Sequence, residues 1–375
     1  MENSLFISSY NPLEYICSYG ALSLFTPYAL ALGKNAWILG SAQGFRRAGV
    51  RIAQILEENG IGYGFEIFSG CPTEKKAEGY AEEIRAMKAD FVIALGGGKA
   101  LDQGKRAAGL AGVPVVTVPT VSATNAAYRR NSMLYDEKGH FEAAIYNAKS
   151  PALVLADAEI LQHQPANYLN AGIIAALASC YEARALKEYC EGELCYRFAL
   201  QAAEVIYDYF KENCTEIKEA FASGGPDQVV LDTLTNIFVL TGLASNFIPG
   251  GYLTGFADAF YREVTCVRKE QVKLYGEIAG FGILVQLLLM DIPDGKWQEA
   301  FKLLSGYGFD YTLRDLGLDA DMARKLAAAL WQRDIQRTAY LAHVESEAEV
   351  LAAIAEADKR VHAARGNIFI KGYNI

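Results

Sequence analysis

The sequence predicts an α/β protein in its first half, built on a doubly wound parallel sheet, and an all-α protein in its second. Three observations carry that expectation. Up to about residue 160, short uninterrupted apolar runs alternate with helical stretches, the pattern of strands buried on both faces by crossover helices. One of those runs leads directly into Gly96, Gly97 and Gly98, a strand-to-helix turn bare of side chains. Beyond that point the β-type runs cease and the periodicity is helical.

Taken in order, Ala36–Ser41 ("AWILGS") reads as a strand ending in Gly40 and Ser41, and Gly64–Gly70 ("GFEIFSG") as a second. Thr73–Lys88 reads as a helix, and Phe91–Leu95 as a third, wholly apolar strand. After the glycines, Lys99, Ala100, Leu101, Asp102 and Gln103 open another helix. A strand, a bare turn and a helix N-terminus aim free N–H groups and the positive end of the dipole at one spot, which suits an anion such as phosphate. The same segment also fits a tight βα turn that binds nothing. Val113–Thr120 ("VPVVTVPT") is a fourth strand, closing on Pro119-Thr120 and the polar residues Ser122, Thr124 and Asn125. In a doubly wound sheet this cluster and the glycine turn share the carboxyl edge, where such folds bind ligands. "GSAQG" (Gly40–Gly44) lacks the G-x-G-x-x-G spacing, so the domain is Rossmann-like without the ordinary dinucleotide fingerprint.

In the second half, Leu169–Tyr189 is alanine-rich and ends with Glu182, Arg184, Lys187 and Glu188. Residues 196–222 and 228–248 are further helices, and Pro249-Gly250-Gly251 breaks the run. Ser346–Arg365 opens with a capping box, Ser346 and Glu349, and sets Val350, Ile354, Ala357 and Val361 on one face. The expected division is an α/β domain over 1–162 and a helical domain over 163–375, with the active-site cleft between them. Each is long enough to bury a core. No apolar run reaches 18 residues and the N-terminus lacks a basic-then-apolar signal pattern, so a cytoplasmic protein with no membrane partner is expected. A net charge of −9 argues against nucleic acid. Seven scattered cysteines without C-x-x-C spacing read as reduced thiols.

Four ordered motifs, "ALGGGKALDQGK" (94–105), "VTVPTVSATNAAY" (116–128), "SMLYDEKGHFE" (132–142) and "PALVLADAEIL" (151–161), resemble the glycerol dehydrogenase branch of the iron-containing (group III) alcohol dehydrogenases. That fold is shared with dehydroquinate synthase, so the resemblance implies a dehydroquinate synthase-like architecture. It continues through Ala171–Arg184 and Tyr275–Leu289, and the Ala-Thr-x-Ala-Ala stretch Ala123–Ala127 is similar to that of the family's 2-oxo acid reductases. It implies NAD or NADP as cofactor, with Gly96, Gly97 and Gly98 on the pyrophosphate. Lys99, Asp102, Lys105, Thr117 and Thr120 match family positions near phosphate and nicotinamide ribose; Gly40, Ser41 and Tyr135 complete the implied cofactor set. Members preferring NAD tend to carry an Asp just after the first strand. Here Ser41 stands there, with Arg46 and Arg47 following, which leans toward NADP. A homo-oligomer acting on a small molecule is also implied.

The sequence departs from the family at the metal. Metal-dependent members hold Zn²⁺ or Fe²⁺ with one Asp and two His, and the matching positions carry Ala175, Phe260 and Tyr275. Alanine and phenylalanine cannot ligate an ion, and one tyrosine does not build a site. The chain has only four histidines, His140, His163, His343 and His362, none between 164 and 342, where the family ligands belong. No metal is therefore expected. Without it, another group must polarise a carbonyl or stabilise an alkoxide. Asn125, Arg129, Arg130, Tyr261 and Tyr275 are the candidate catalytic residues: Asn125 takes the position of an Asp that contacts polyols, the arginines suit a carboxylate or phosphate, and a tyrosine can donate a proton. Two readings follow. One is a metal-independent NAD(P)-linked oxidoreductase for a small hydroxylated or 2-oxo, anionic compound. The other is a degenerate or repurposed nucleotide-binding protein, such as a non-redox lyase, cyclase or regulator.

Overall fold

The computed structural model describes residues 12–190, 192–248, 255–268 and 273–372; the expected break at Pro249-Gly250-Gly251 lies outside them. The chain divides into two compact units, Met1–Leu169 with Thr215–Phe247, and Asn170–Cys214 with Ile248–Ile375.

In the first unit a six-stranded parallel sheet is built from β1 (Glu14–Ser18), β2 (Asn35–Ser41), β3 (Gly62–Phe68), β4 (Phe91–Gly96), β5 (Val115–Pro119) and β8 (Leu153–Asp157), in the order β1-β8-β5-β4-β2-β3. β6 (Asn131–Tyr135) and β7 (Phe141–Tyr146) form a separate antiparallel hairpin. The central strands β4, β5 and β8 are buried along their whole length, as continuous apolar runs require when helices cover both faces. β3 lies at one edge and leaves Phe65 and Ile67 exposed. The chain order turns back between β2 and β4, which places the switch point beside Ser41 and Gly96.

The expected strands and helices of this half are present, with ends shifted by one or two residues. Thr73 caps the helix Glu74–Ala86 by accepting from the Lys76 N–H at 3.2 Å, and Gly112, at φ +82°, ends the helix Gly98–Ala111. Four strands were not expected from the sequence: β1 and β8, which pair with each other at one end of the sheet, and the β6–β7 hairpin. Along β7 half-buried and exposed positions alternate, so it presents no apolar run.

Residues 215–247 belong with the sheet and not, as the sequence leads one to expect, with the helical second half. The cause is polar as well as apolar. Gln162 Nε2 donates to the carbonyls of Ala220 at 2.8 Å and Gly225 at 3.0 Å, and the Tyr19 hydroxyl donates to Gly225 O at 3.3 Å. The expected helix at 228–248 is Gln228–Thr235 and Thr241–Asn246 joined by a π-helical turn at Asn236–Leu240. That stretch is apolar enough to cross a membrane, but half of it is buried in the protein, as a core helix would be.

In the second unit the helices Ala166–Ala185, which enters it at Asn170, and Tyr275–Leu289 lie at the centre. They meet at Gly276, where an added Cβ would stand 1.9 Å from Ala171 O; backbone cannot yield there, so the crossing depends on glycine. The 196–222 stretch is two helices, Leu194–Glu212 and Cys214–Ser223. Ser346 Oγ accepts from the Glu349 N–H at 3.4 Å, one half of the expected capping box, and donates to Glu349 Oε1 at 2.8 Å at the start of the helix Glu347–Gly372.

Gly276→Ala should cost about 3 kcal/mol or more by overpacking. Gly79→Ala, in the exposed middle of Glu74–Ala86 with open space around it, should gain about 0.5–1 kcal/mol. Urea unfolding of both variants checks the pair.

Candidate functional site

β4 ends at Gly96, whose φ of +137° is open to glycine alone. A Cβ there would lie 2.7 Å from Ser41 Oγ, and one on Gly98 would lie 3.0 Å from Thr124 Oγ1. Gly97 is the N-cap of Gly98–Ala111, with no side chain capping the helix. Its N–H groups are thus left to whatever sits over the turn. Gly40 belongs to the same close approach, since a Cβ there would be 2.9 Å from Leu95 O. Ser41 caps the next helix by accepting from the Gly44 N–H at 3.0 Å.

Lys99 is exposed at the mouth of the turn, its ammonium 3.4 Å from Cys71 Sγ and 5.6 Å from the centre of the Tyr135 ring. Tyr135 is buried and packs edge-on against Phe141. Lys99 and Tyr135 therefore flank the turn on one side.

Asp102, Lys105, Thr117 and Thr120 are internal. The Lys105 ammonium pairs with Asp102 Oδ1 at 2.8 Å and donates to the carbonyls of Ala126 at 2.8 Å, Arg129 at 2.9 Å and Asn131. Burial pushes the Asp102 carboxyl up and the Lys105 ammonium down, and their attraction works against both shifts. Thr117 Oγ1 donates to Ala127 O at 2.8 Å, and the Thr120 N–H donates to Gly96 O at 3.0 Å. These four residues hold the 120–131 loop in place from beneath.

On that loop, Asn125 is half-buried and its carbonyl accepts from the N–H groups of Tyr128 and Arg129. Arg129 Nε donates to Asn131 Oδ1 at 3.2 Å, and its Nη1 donates to Ser245 Oγ at 2.5 Å. The Arg130 guanidinium stacks 5.5 Å from the centre of the Tyr146 ring in β7. The two arginines thus diverge instead of forming one fork. Arg47 reaches the carbonyls of Thr120, Ile160 and His163, each at 3.4 Å, while Arg46 is exposed with Nε on Gln43 Oε1 at 3.1 Å.

The second unit holds a separate polar cluster. Ala175 and Phe260 are buried, and Phe260 stacks on Phe281 with ring centres 5.8 Å apart. The Tyr275 hydroxyl donates to Asp258 Oδ1, and the Tyr261 ring sits edge-on to Tyr275 at 4.9 Å. Glu182 Oε1 accepts from the Asp258 N–H at 3.1 Å, at the start of the helix Phe256–Val267. The Tyr340 hydroxyl accepts from the Phe256 N–H at 2.9 Å. Burial and the Asp258 carboxylate push Glu182 up to about 8, and burial pushes the Tyr275 phenol well above its usual range. Sequence reasoning passed over Glu182 and Asp258 as site residues. Glu182 lies two helical turns beyond Ala175 and was legible only as a charge at a helix end.

Among the described residues no three His, Cys, Asp or Glu side chains gather as a metal centre would require. Each histidine has an ordinary neighbour, Asp136 for His140, Glu159 O for His163, Leu289 O for His343 and Asp358 for His362.

A family model for iron-containing alcohol dehydrogenases matches residues 12–158. The glycerol dehydrogenase of Pseudomonas putida is 28% identical, over 85% of this chain and 87% of its own. An uncharacterized oxidoreductase of Synechocystis is 31% identical, over 72% of this chain and 71% of its own. The crystal structure of glycerol dehydrogenase from Schizosaccharomyces pombe superposes with a TM-score of 0.83 at 18% identity, covering 100% of this chain and 95% of that one.

Lys105→Met should leave Asp102 as an uncompensated buried charge and cost about 3–5 kcal/mol. The double variant Lys105→Met/Asp102→Leu should recover part of that loss, and denaturant titrations of the three proteins measure both.

Proposed function

We propose, for a chain that belongs to the glycerol dehydrogenase branch of the iron-containing alcohol dehydrogenase family, an NAD(P)-linked oxidoreductase that acts without a metal on a small hydroxylated or 2-oxo compound. The observation that carries this reading is a contrast between two sets of positions. The glycine turn keeps its open N-terminus and flanking Lys99, whereas Ala175 and Phe260 offer no lone pair and Tyr275 gives its hydroxyl to Asp258. The residues at the metal positions do not fit an ion, so no step is assigned to one.

When bound, the dinucleotide supplies or accepts the hydride. The chain's own residues do the rest. Gly97 and Gly98 receive the pyrophosphate on backbone N–H groups, with Lys99 beside them. Tyr275 is the proton donor for a carbonyl oxygen, or the acceptor for an alcohol in the reverse direction. Asn125 hydrogen-bonds a substrate hydroxyl. Arg129 is engaged by Asn131 and Ser245 and Arg130 by Tyr146, so an anionic substrate would be held by whichever of the two exchanges its present contacts for the anion. Arg47 is drawn to three carbonyls, which leaves Arg46 to support NADP over NAD.

Millimolar NAD(H) or NADP(H) should raise the melting temperature by mass action. Gly97→Val should abolish that rise with little loss of fold, because its nearest obstacle is the movable Val121 side chain at 3.2 Å. No shift with any of the four dinucleotides would favour the repurposed-scaffold reading instead.

Elemental analysis of protein purified without chelator should find no stoichiometric zinc or iron, and EDTA should leave the melting temperature unchanged. One metal per subunit would overturn metal independence.

A further inference from the structure

A third guanidinium, in the helical unit, has no contacts to exchange. Arg268 ends the helix Phe256–Val267 as its C-cap, its N–H donating to Val264 O at 3.1 Å. The residue is only 8% exposed, and among the described residues its guanidinium meets neither a hydrogen-bond acceptor nor a carboxylate. The nearby carboxylates are already engaged: Arg262 pairs with Asp334 at 2.8 Å, and Arg333 with Glu263 at 3.3 Å. The turn that comes up against Arg268 brings no acceptor side chain, because it does so at Gly317. With its φ of +74°, Gly317 suits a residue without Cβ, and a Cβ there would stand 3.1 Å from Nη2 and 3.4 Å from Nε.

We propose that Arg268 anchors the oxoanion group of a small substrate, a carboxylate or a phosphate held by its planar fork. The inference rests on the oxidoreductase reading for what happens after binding, and not for the binding itself.

An arginine keeps its charge in a protein interior, and a buried charge without a counter-charge is costly. Burial pulls the Arg268 pKa down, and only the Tyr261 phenol works against that. Its nitrogens are not among the sealed, unpartnered polar atoms of the protein, so a small anion can reach them. A guanidinium matches such an anion with two parallel N–H donors. Arg268 follows Tyr261 by seven residues, which places both on one side of the helix. The Tyr261 ring in turn sits edge-on to Tyr275 at 4.9 Å. An anion held at Arg268 therefore leaves the rest of a short molecule to extend along this row toward the phenols, where Tyr275 is the proton donor of the proposed reaction. The selectivity that follows is for a carbonyl compound with an anionic group over its uncharged analogue.

A cation at a helix C-terminus also suits the dipole, so the test must separate binding from stability. Melting temperatures of the full chain are measured at low salt and without dinucleotide for the native protein, Arg268→Met and Arg268→Lys. Each is titrated with pyruvate, dihydroxyacetone phosphate and hydroxyacetone, the last being pyruvate with its carboxylate replaced by a hydroxymethyl group. Pyruvate or dihydroxyacetone phosphate should raise the native melting temperature, and hydroxyacetone should not. Which anion acts tells a carboxylate substrate from a phosphate ester. The affinity should fall about tenfold or more in Arg268→Met, and less in Arg268→Lys, which keeps the charge without the fork. Without ligand, Arg268→Met should melt no lower than the native chain, since an apolar side chain replaces a buried charge that has no partner. No shift with either anion, an equal shift with hydroxyacetone, or an undiminished shift in Arg268→Met would each overturn the proposal. So would an Arg268→Met that fails to fold or melts well below the native chain, because the guanidinium would then be structural. None of these outcomes needs turnover. Anion binding that depends on Arg268, in a protein that transfers no hydride to any carbonyl compound, would keep the anchor and remove the oxidoreductase reading.

Discussion

The α/β unit depends on one buried ammonium. Lys105 lies inside the protein, and its pairing with Asp102 is only part of what it does. Its ammonium also meets the carbonyls of Ala126, Arg129 and Asn131, which belong to the segment that follows β5. Buried carbonyls without partners cost about 1–3 kcal/mol each, so without this cation the loop would have to open to water. With it, Thr117 from beneath and Thr120 alongside Gly96 can lock the same segment to β5 and β4. The glycine turn, the polar loop and the hairpin that follows are thereby tied together, and the helix that starts at Gly98 carries no side-chain cap.

A second constraint governs the helical unit, and it is steric. The closeness of Tyr275–Leu289 to Ala166–Ala185 requires Gly276 against Ala171 O. That crossing fixes Tyr275, the residue just before the glycine, and the Glu182 carboxylate comes from the same partner helix further along. Phe260 stacks on Phe281 in the same unit. The polar groups have gathered beside that apolar stack, on Asp258, where the helix N-terminus supplies the N–H groups to hold a carboxylate.

The two sites differ in how their charges are arranged. Around the glycine turn the nearest ionic group is a lysine, and the arginines of the adjoining loop are engaged by Asn131, Ser245 and Tyr146. In the helical unit the groups gathered at Asp258 are carboxyls and phenols.

By itself the sequence determined the strand-and-helix alternation, the bare turn after Phe91–Leu95, the helical second half and the lack of ligating side chains at Ala175 and Phe260. Each of these is a matter of residue type at close spacing, so it can be read along the chain. The edge strand β1 and the β6–β7 hairpin escaped notice because neither has an uninterrupted buried apolar run. The return of 215–247 to the sheet unit was likewise hidden, since Gln162 and Tyr19 find their carbonyl partners more than fifty residues away. Only tertiary structure decided that Asp102, Lys105 and Thr117 brace a loop, that Arg129 and Arg130 part company, and that Glu182 reaches Asp258 and through it Tyr275. A side chain's partners depend on which helices and loops come to lie beside it, and that information is distributed over the whole chain.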